Sequence, residues 1–324
     1  MDTYIPPLIF TSDIVAAGED ARAFRRAARA GHYLRLRRGV YCARPDWDLA
    51  DGRGRHIARV RAVVSQLRPD SRALVAGYSA AAIHGFEVLR RFPDDVTLLT
   101  PFRGGGTAEP GVIRTSARWR DDHGATVEDL PVTSEPRTLF DIVLRDGFVG
   151  GVASLDSALR RGTTDSAELA EFLERWRPAT GMTRCVVALA HARPASGSFG
   201  ESACRATIVT LGFPEPALQA EFVDAAGRMY ADFFWPEYRI AGEFDGKIKY
   251  TREEFTRGDP SEVVWREKLR EDRLRRKVRT VVRFTWDDVR DPRALAALLE
   301  SAGLPRHRHV SGRVDTAPRV SFGA

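Results

Sequence analysis

Apolar and polar positions along this chain switch repeatedly between a helical and a strand period, and the switches mark its elements. Ser12 is placed to cap a short helix through Ala17, which Gly18 ends. Over residues 20–30, Ala21, Phe24 and Ala28 recur at helical spacing, and Gly31 supplies the stop. Tyr33–Arg37 alternates like a strand, and Arg38 with Gly39 turns the chain into Val40–Cys42, predicting a small ribbon. Helix, turn, basic helix and basic ribbon together read as a winged helix-turn-helix.

The middle of the chain reads as an α+β segment. A helix is expected over 54–67, then a short apolar run from Leu74, with Ser79 capping Ala80–His84 and Gly85 ending it. Strands are expected over 95–100 and 127–132. Ser134 and Pro136 open a further helix, and others cover 152–160 and 166–176. No metal-ligand or nucleophile constellation stands out here. His84, alone at a helix end, reads as structural, and Arg137 with Asp141, one turn apart, reads as an ion pair.

Small residues from Ala195 to Ser198 make a linker before a helix over 200–211. Strands over 219–223 and 228–234 form a hairpin about 224–227, and a third strand is expected over 239–250. A charged helix over 260–277, a strand over 279–284 and a helix over 291–301 follow, and the polar tail from Pro305 reads as disordered. The expected architecture is mixed α/β. A winged helix-turn-helix occupies 1–54, an α+β domain 55–195, an α/β domain 196–304, and the tail 305–324.

Composition narrows the function classes. With 43% hydrophobic and 29% charged residues over 324 positions, the chain carries enough apolar material for real cores. It has neither an uncharged apolar run long enough to span a bilayer nor a secretory leader pattern, so no membrane partner is expected. Cys42, Cys185 and Cys204 form no C-x-x-C pair, which points to a reducing cytoplasm. The net charge of +6 says little alone, but the arginines concentrate over 22–61 and 266–283. Arg22, Arg25, Arg26 and Arg29 on the second helix, with Arg35, Arg37 and Arg38 on the ribbon, suit the major groove and phosphates of DNA. The competing reading is an ordinary solvated basic face.

The third strand of the last domain carries the chemistry. Side chains alternate faces, so Glu243, Asp245 and Lys247 project together, with Ile240, Gly242 and Phe244 on the opposite, core-facing side. Asp232, on the preceding strand, can sit opposite them. Carboxylates so close raise one another's pKa unless a cation intervenes, and Mg2+ (or Mn2+) accepts such oxygens. Asp232, Glu243 and Asp245 are the expected metal ligands, and Lys247 is placed to orient a water or to stabilise developing charge. The alternative is a set of salt bridges to Lys247, Lys249 or arginines. Lys268 and Arg270 of the charged helix either line a DNA channel or belong to a mixed solvated surface, and Trp286 reads as core.

Two resemblances add to this reading. Phe10-Thr11-Ser12-Asp13 through Arg38-Gly39-Val40-Tyr41 is similar to the N-terminal winged helix of AbiEi-family antitoxins. Gly77-Tyr78-Ser79-Ala80-Ala81 with His84-Gly85, and Leu130-Pro131-Val132-Thr133-Ser134 with Arg137-Thr138, resemble the domain that follows it there. That likeness, over about residues 8–190, implies a DNA-binding autorepressor and antitoxin of a type IV toxin–antitoxin pair, whose partner is a nucleotidyltransferase-like toxin.

From about 196 to 290 the chain resembles the PD-(D/E)XK nucleases, in the branch related to very-short-patch repair endonucleases. The likeness rests on Glu201-Ser202, Pro214, Pro216, Gln219, Asp232-Phe233, Trp235-Pro236, Glu243-Phe244-Asp245-Gly246-Lys247, Glu267-Lys268, Arg270-Glu271-Asp272 and Val281-Val282-Arg283. It implies Glu201 as a supporting carboxylate and Lys247 as the catalytic lysine. Either Glu243 with Asp245 is the ligand pair, or Asp245-Gly246-Lys247 is the (D/E)XK element. Asp232 lacks the preceding proline. Two functions follow: a metal-dependent endonuclease acting on double-stranded DNA in phage defence or repair, or a non-enzymatic antitoxin and repressor that uses the nuclease-like fold for binding.

Overall fold

The computed structural model describes residues 3–101, 109–116, 120–176, 180–246 and 260–306, with the backbone alone over 260–268. Its chain clusters into two compact units, Met1–Arg145 and Asp146–Ala324. It is a mixed α/β protein, with three sheets and twelve α-helices among the described residues. None of those helices is long and apolar enough to cross a membrane.

The first unit opens with β1 (Ile9–Phe10), α1 (Thr11–Ala16), α2 (Ala21–Arg29), β2 (Tyr33–Arg37) and β3 (Val40–Ala43). Helix α1 starts a residue earlier than Ser12 could cap it, with Phe10 in the cap position. Asp20 caps α2 by accepting from Arg22 N and Ala23 N. The three strands pair in the order β1-β3-β2, with Leu34 opposite Cys42 and a shift of register between Arg35 and Arg37. Cys42, Leu34 and Leu36 pack onto Trp47 of α3 (Arg44–Leu49) and Ala58 of α4 (Gly52–Val64). Tyr33 and Tyr41 instead meet Phe24 of α2, at ring distances of 4.7 and 5.1 Å.

A larger sheet follows. It comprises β4 (Leu74–Val75), β5 (Val96–Thr100), β6 (Val112–Ser116), β7 (Gly124–Val127) and β8 (Leu130–Thr133), with α5 (Gly77–His84) between β4 and β5. The strand order is β6-β5-β4-β8-β7, and Ile57, Val60, Ile83, Val75, Leu98 and Val132 form its core with α4 and α5. Residues 127–132, expected as one strand, are the two sides of a hairpin that turns on Glu128 and Asp129, at φ 48° and 61°. His84 is structural, with Nε2 2.7 Å from Thr133 O, and Arg137 pairs with Asp141 at 2.9 Å.

Helix α6 (Glu135–Arg161) carries the chain into the second unit and is broken at Gly147, φ 72°. Then come α7 (Ser166–Trp176), α8 (Met182–Ala190), α9 (Phe199–Thr210), β9 (Ala217–Asp224), β10 (Gly227–Trp235) and β11 (Ile240–Asp245). The last elements are α10 (Pro260–Lys277), β12 (Thr280–Thr285), α11 (Trp286–Arg290) and α12 (Pro292–Ser301). The sheet order is β12-β11-β10-β9, antiparallel except for the parallel β11–β12 pair.

Both faces of this sheet are covered. Ala241 of β11 packs with Leu274 of α10 and with Val278, which follows that helix. Gly242 meets Phe233 and Phe284 on the other face, where Phe244, Phe199 of α9 and Trp286 share ring contacts. Trp286 therefore belongs to a packed aromatic group. Elsewhere in the unit, Arg205 is buried and bonds Asp156 at 2.9 Å, Glu215 at 2.8 Å and the carbonyl of His191 at 2.8 Å.

Candidate functional site

The second unit brings two acids together from a helix and a strand. Ser198 caps α9, its hydroxyl accepting from Glu201 N at 3.2 Å, which fixes Glu201 in the first helical turn. There the Glu201 carboxylate accepts from Gly197 N at 2.8 Å and Ser198 Oγ at 2.9 Å. A carboxylate in this position would be an ordinary helix cap, but it also accepts from Gln219 Nε2 of β9, at 2.9 Å. The same nitrogen lies 3.2 Å from Asp232 Oδ1, and Asp232 Oδ2 accepts from Phe244 N at 2.8 Å. The last register pair of β10 with β11 is Phe233 with Gly242. Beyond it, the Asp232 side chain supplies an acceptor for the β11 backbone.

Electrostatics follow from this convergence. Burial, and next the charge of Asp232, raise the pKa of Glu201, against the hydrogen bonds that favour its ionised form. Burial pushes the Cys204 thiol well above its ordinary range, with the charges of Asp288, Asp232 and Glu201 adding to the effect. A set of acids thus surrounds the first turns of α9.

Gln219 is itself unusual. Its φ is 47°, in the left-handed region, although Leu218 and Ala220 on either side keep register with Phe233 and Ala231. Gly197 also shapes the site. A β-carbon there would stand 2.9 Å from Glu201 Oε2 and 3.0 Å from Gln219 Nε2, so a larger residue would cover the carboxylate and the amide.

Glu243 shares the α10-facing side of β11 with Ala241. It is buried, with Arg270 of α10 at 2.8 Å and Arg283 of β12 at 3.8 Å. Alternation along the strand packs only the opposite face and leaves this one open. The helix that closes it arrives from well downstream, with Leu274 as its apolar anchor and Val278 just beyond its end. Arg270, half-buried, is tied to Glu243 and to the carbonyl of Tyr230 at 2.9 Å. Asp245 is half-buried at the end of β11, opposite Thr285, which forms the capping box of α11 with Asp288. Lys247 and the Lys268 side chain lie outside the described residues.

Among the described residues no cluster of three or more His, Cys, Asp or Glu side chains is arranged to hold a metal. A two-carboxylate site still suits Mg2+, which is commonly held by one or two carboxylates with water and phosphate oxygens completing its shell. Glu201 and Asp232 supply hard oxygen donors, and the missing β-carbon of Gly197 keeps the Glu201 carboxylate from being crowded. The residues present fit such an ion.

In the first unit Arg22, Arg25, Arg26 and Arg29 are exposed on α2, and Arg35 and Arg38 on the ribbon. Among the described residues the side chains of Arg22, Arg25, Arg29 and Arg38 make no hydrogen bond or ion pair, while Arg26 lies 3.8 Å from Asp20. Arg37 differs from them. It is tied to Glu109, to Gln66 at 3.0 Å and to the carbonyl of Pro110 at 3.3 Å, so its charge is spent within the fold.

No family model matches the chain, and no curated protein matches it. Among solved structures, the crystal structure of the RV2827C protein from Mycobacterium tuberculosis is similar, at 15% identity and a TM-score of 0.40, over 68% of this chain and 84% of that one.

Proposed function

We propose that this chain is a DNA-binding protein whose second unit cleaves phosphodiester bonds with Mg2+ or Mn2+. The observation that carries the reading is the meeting of Glu201 and Asp232 through one neutral amide. Burial, and next the charge of Asp232, raise the pKa of Glu201, and a divalent cation would relieve the repulsion between the two acids. Asp232 and Glu201 would hold the ion; Asp245, at the end of β11, and Glu243 are the further acids that the nuclease resemblance implies. When bound, the ion lowers the pKa of a coordinated water and stabilises charge on the scissile phosphate. Lys247, two residues beyond Asp245, is the lysine of that resemblance.

Double-stranded DNA is the substrate class that fits α2 and its ribbon. The winged-helix reading places α2 in the major groove, and the unpaired guanidiniums of Arg22, Arg25 and Arg29 contact phosphates and base edges. Cleavage of labelled duplexes by wild type and Asp245→Ala tests the reading: metal-dependent products that vanish in the variant support it.

A second reading is favoured by one specific observation. Glu243 is already neutralised by Arg270 and Arg283, as expected of a nuclease-like fold that binds without cutting. In that case the protein is an antitoxin and autorepressor with a cognate toxin as partner, and it shifts DNA in a gel without cutting any substrate.

A further inference from the structure

We propose that Gln219 is a positioning residue for the carboxylate pair, setting the spacing at which Glu201 and Asp232 receive a divalent cation. The proposal rests on the nuclease reading above. Its basis is the conflict between what the backbone prefers at this position and what the side chain does there. Leu218 and Ala220 pair regularly with β10, yet the residue between them takes φ 47°, a conformation that glycine adopts freely and other residues rarely. Local strain of this kind persists where surrounding structure enforces it.

At Gln219 the enforcing contacts are hydrogen bonds to two carboxylates from two different elements. A carboxamide nitrogen carries two N–H donors. Nε2 lies 2.9 Å from Glu201 Oε2 of α9 and 3.2 Å from Asp232 Oδ1 of β10, so one planar group joins the helix to the strand. Gly197 leaves just enough room, since its β-carbon would fall 3.0 Å from that nitrogen.

Neutrality of the bridge matters. Arg270 shows what a cationic partner does to a carboxylate in this unit: it pairs with Glu243 at 2.8 Å and takes up its charge. An amide holds two acids at a fixed separation while leaving both charges for an incoming ion. A lysine or arginine at 219 would hold the acids and neutralise them as well.

The test uses the full chain, Mn2+ as the probe, electron paramagnetic resonance to count free ion, and thermal unfolding as the control. Gln219→Gly removes the amide and the backbone strain together. It is expected to melt at or above the wild-type temperature while binding Mn2+ at least tenfold more weakly. Gln219→Met keeps the shape and the strain without the donors, and is expected to show the same drop in affinity. Should either variant fold and bind Mn2+ as tightly as wild type, the positioning role is wrong and the nuclease reading survives. Should wild type bind no Mn2+, or Asp232→Ala bind as much as wild type, the nuclease reading falls and the role of Gln219 falls with it.

Discussion

Gly200 of α9 and Phe244 of β11 approach so closely that a β-carbon on the glycine would stand 2.2 Å from Phe244 Cε1. The contact sets the distance between the helix that carries Glu201 and the strand that carries Glu243 and Asp245. It also locates the Phe244 N–H that bonds Asp232 Oδ2 at 2.8 Å. Gly200→Ala must push the ring and its strand away. Overpacking of this kind costs roughly 1–3 kcal/mol, and urea denaturation should show it. Metal-dependent cleavage should fall further than the stability change accounts for, because the backbone donor to Asp232 moves with Phe244.

The buried Arg205–Asp156 pair makes a separate prediction. Both side chains are fully buried, and Asp156 also accepts from Arg193 N. Burial raises the pKa of Asp156 against the pull of Arg205, so the pair is held by matched partners more than by net attraction. Arg205→Met leaves an uncompensated carboxylate in the interior and should destabilise the protein by about 3–5 kcal/mol. Arg205→Met combined with Asp156→Leu should recover much of that stability. A double variant no better than the single one would contradict this account.

Two histidines of the first unit predict its response to acid. His56 takes a hydrogen bond from Ser79 Oγ at Nε2 and gives one to Pro93 O from Nδ1, while Ser79 Oγ accepts from Thr97 N. His123 Nδ1 accepts from Arg137 Nη1 at 3.0 Å. Both rings are buried as neutral imidazoles, and burial lowers each pKa to about 4, with Arg137 adding to the effect at His123. The folded pKa lies below the unfolded value of about 6.5, so the unfolded chain binds the proton first. Stability is full above about pH 6.5 and falls as pH drops towards 4, by up to about 3 kcal/mol per ring. Melting curves at pH 7, 5.5 and 4.5 should show the decline, and His56→Gln should flatten it. A melting temperature unchanged across that range would refute the assignment.

The arginines of the first unit divide into two kinds. Arg25→Ala and Arg29→Ala remove charges with no partner among the described residues. They should leave stability nearly unchanged and weaken DNA binding, with a slope in log salt lower by about 1 for each phosphate no longer neutralised. Arg37→Ala removes the anchor of Glu109, Gln66 and the Pro110 carbonyl, and should act mainly on stability. Fluorescence anisotropy against salt, with parallel melts, separates the two kinds.

Much of the local structure is legible in the sequence. Asp20 and Gly31 bracket α2, and α10 spans the 260–277 expected for the charged helix, because caps and local composition act within a few residues. The turn at Glu128 and Asp129 is hidden because neither residue is the Asn or Gly that advertises positive φ. Alternation correctly puts Glu243 and Asp245 on one side of a strand but says nothing of what covers that side. The pairing of Glu243 with Arg270 depends on α10 docking from far along the chain. The convergence of Glu201, Gln219 and Asp232 is likewise a long-range event. Gln219 shows in the sequence only as a landmark of the nuclease resemblance, with no period or motif to disclose its role.

The most direct test of the central claim is nicking of supercoiled plasmid by the purified full chain, with Mg2+ or Mn2+ and with chelator, for wild type and Asp232→Ala. A nuclease built on Asp232 converts supercoiled to open-circular DNA only with metal and only as wild type, while both proteins still shift the same DNA in a gel. Retention of the supercoiled form by both proteins at every metal concentration, with undiminished DNA binding, would contradict the claim and leave the repressor reading in its place.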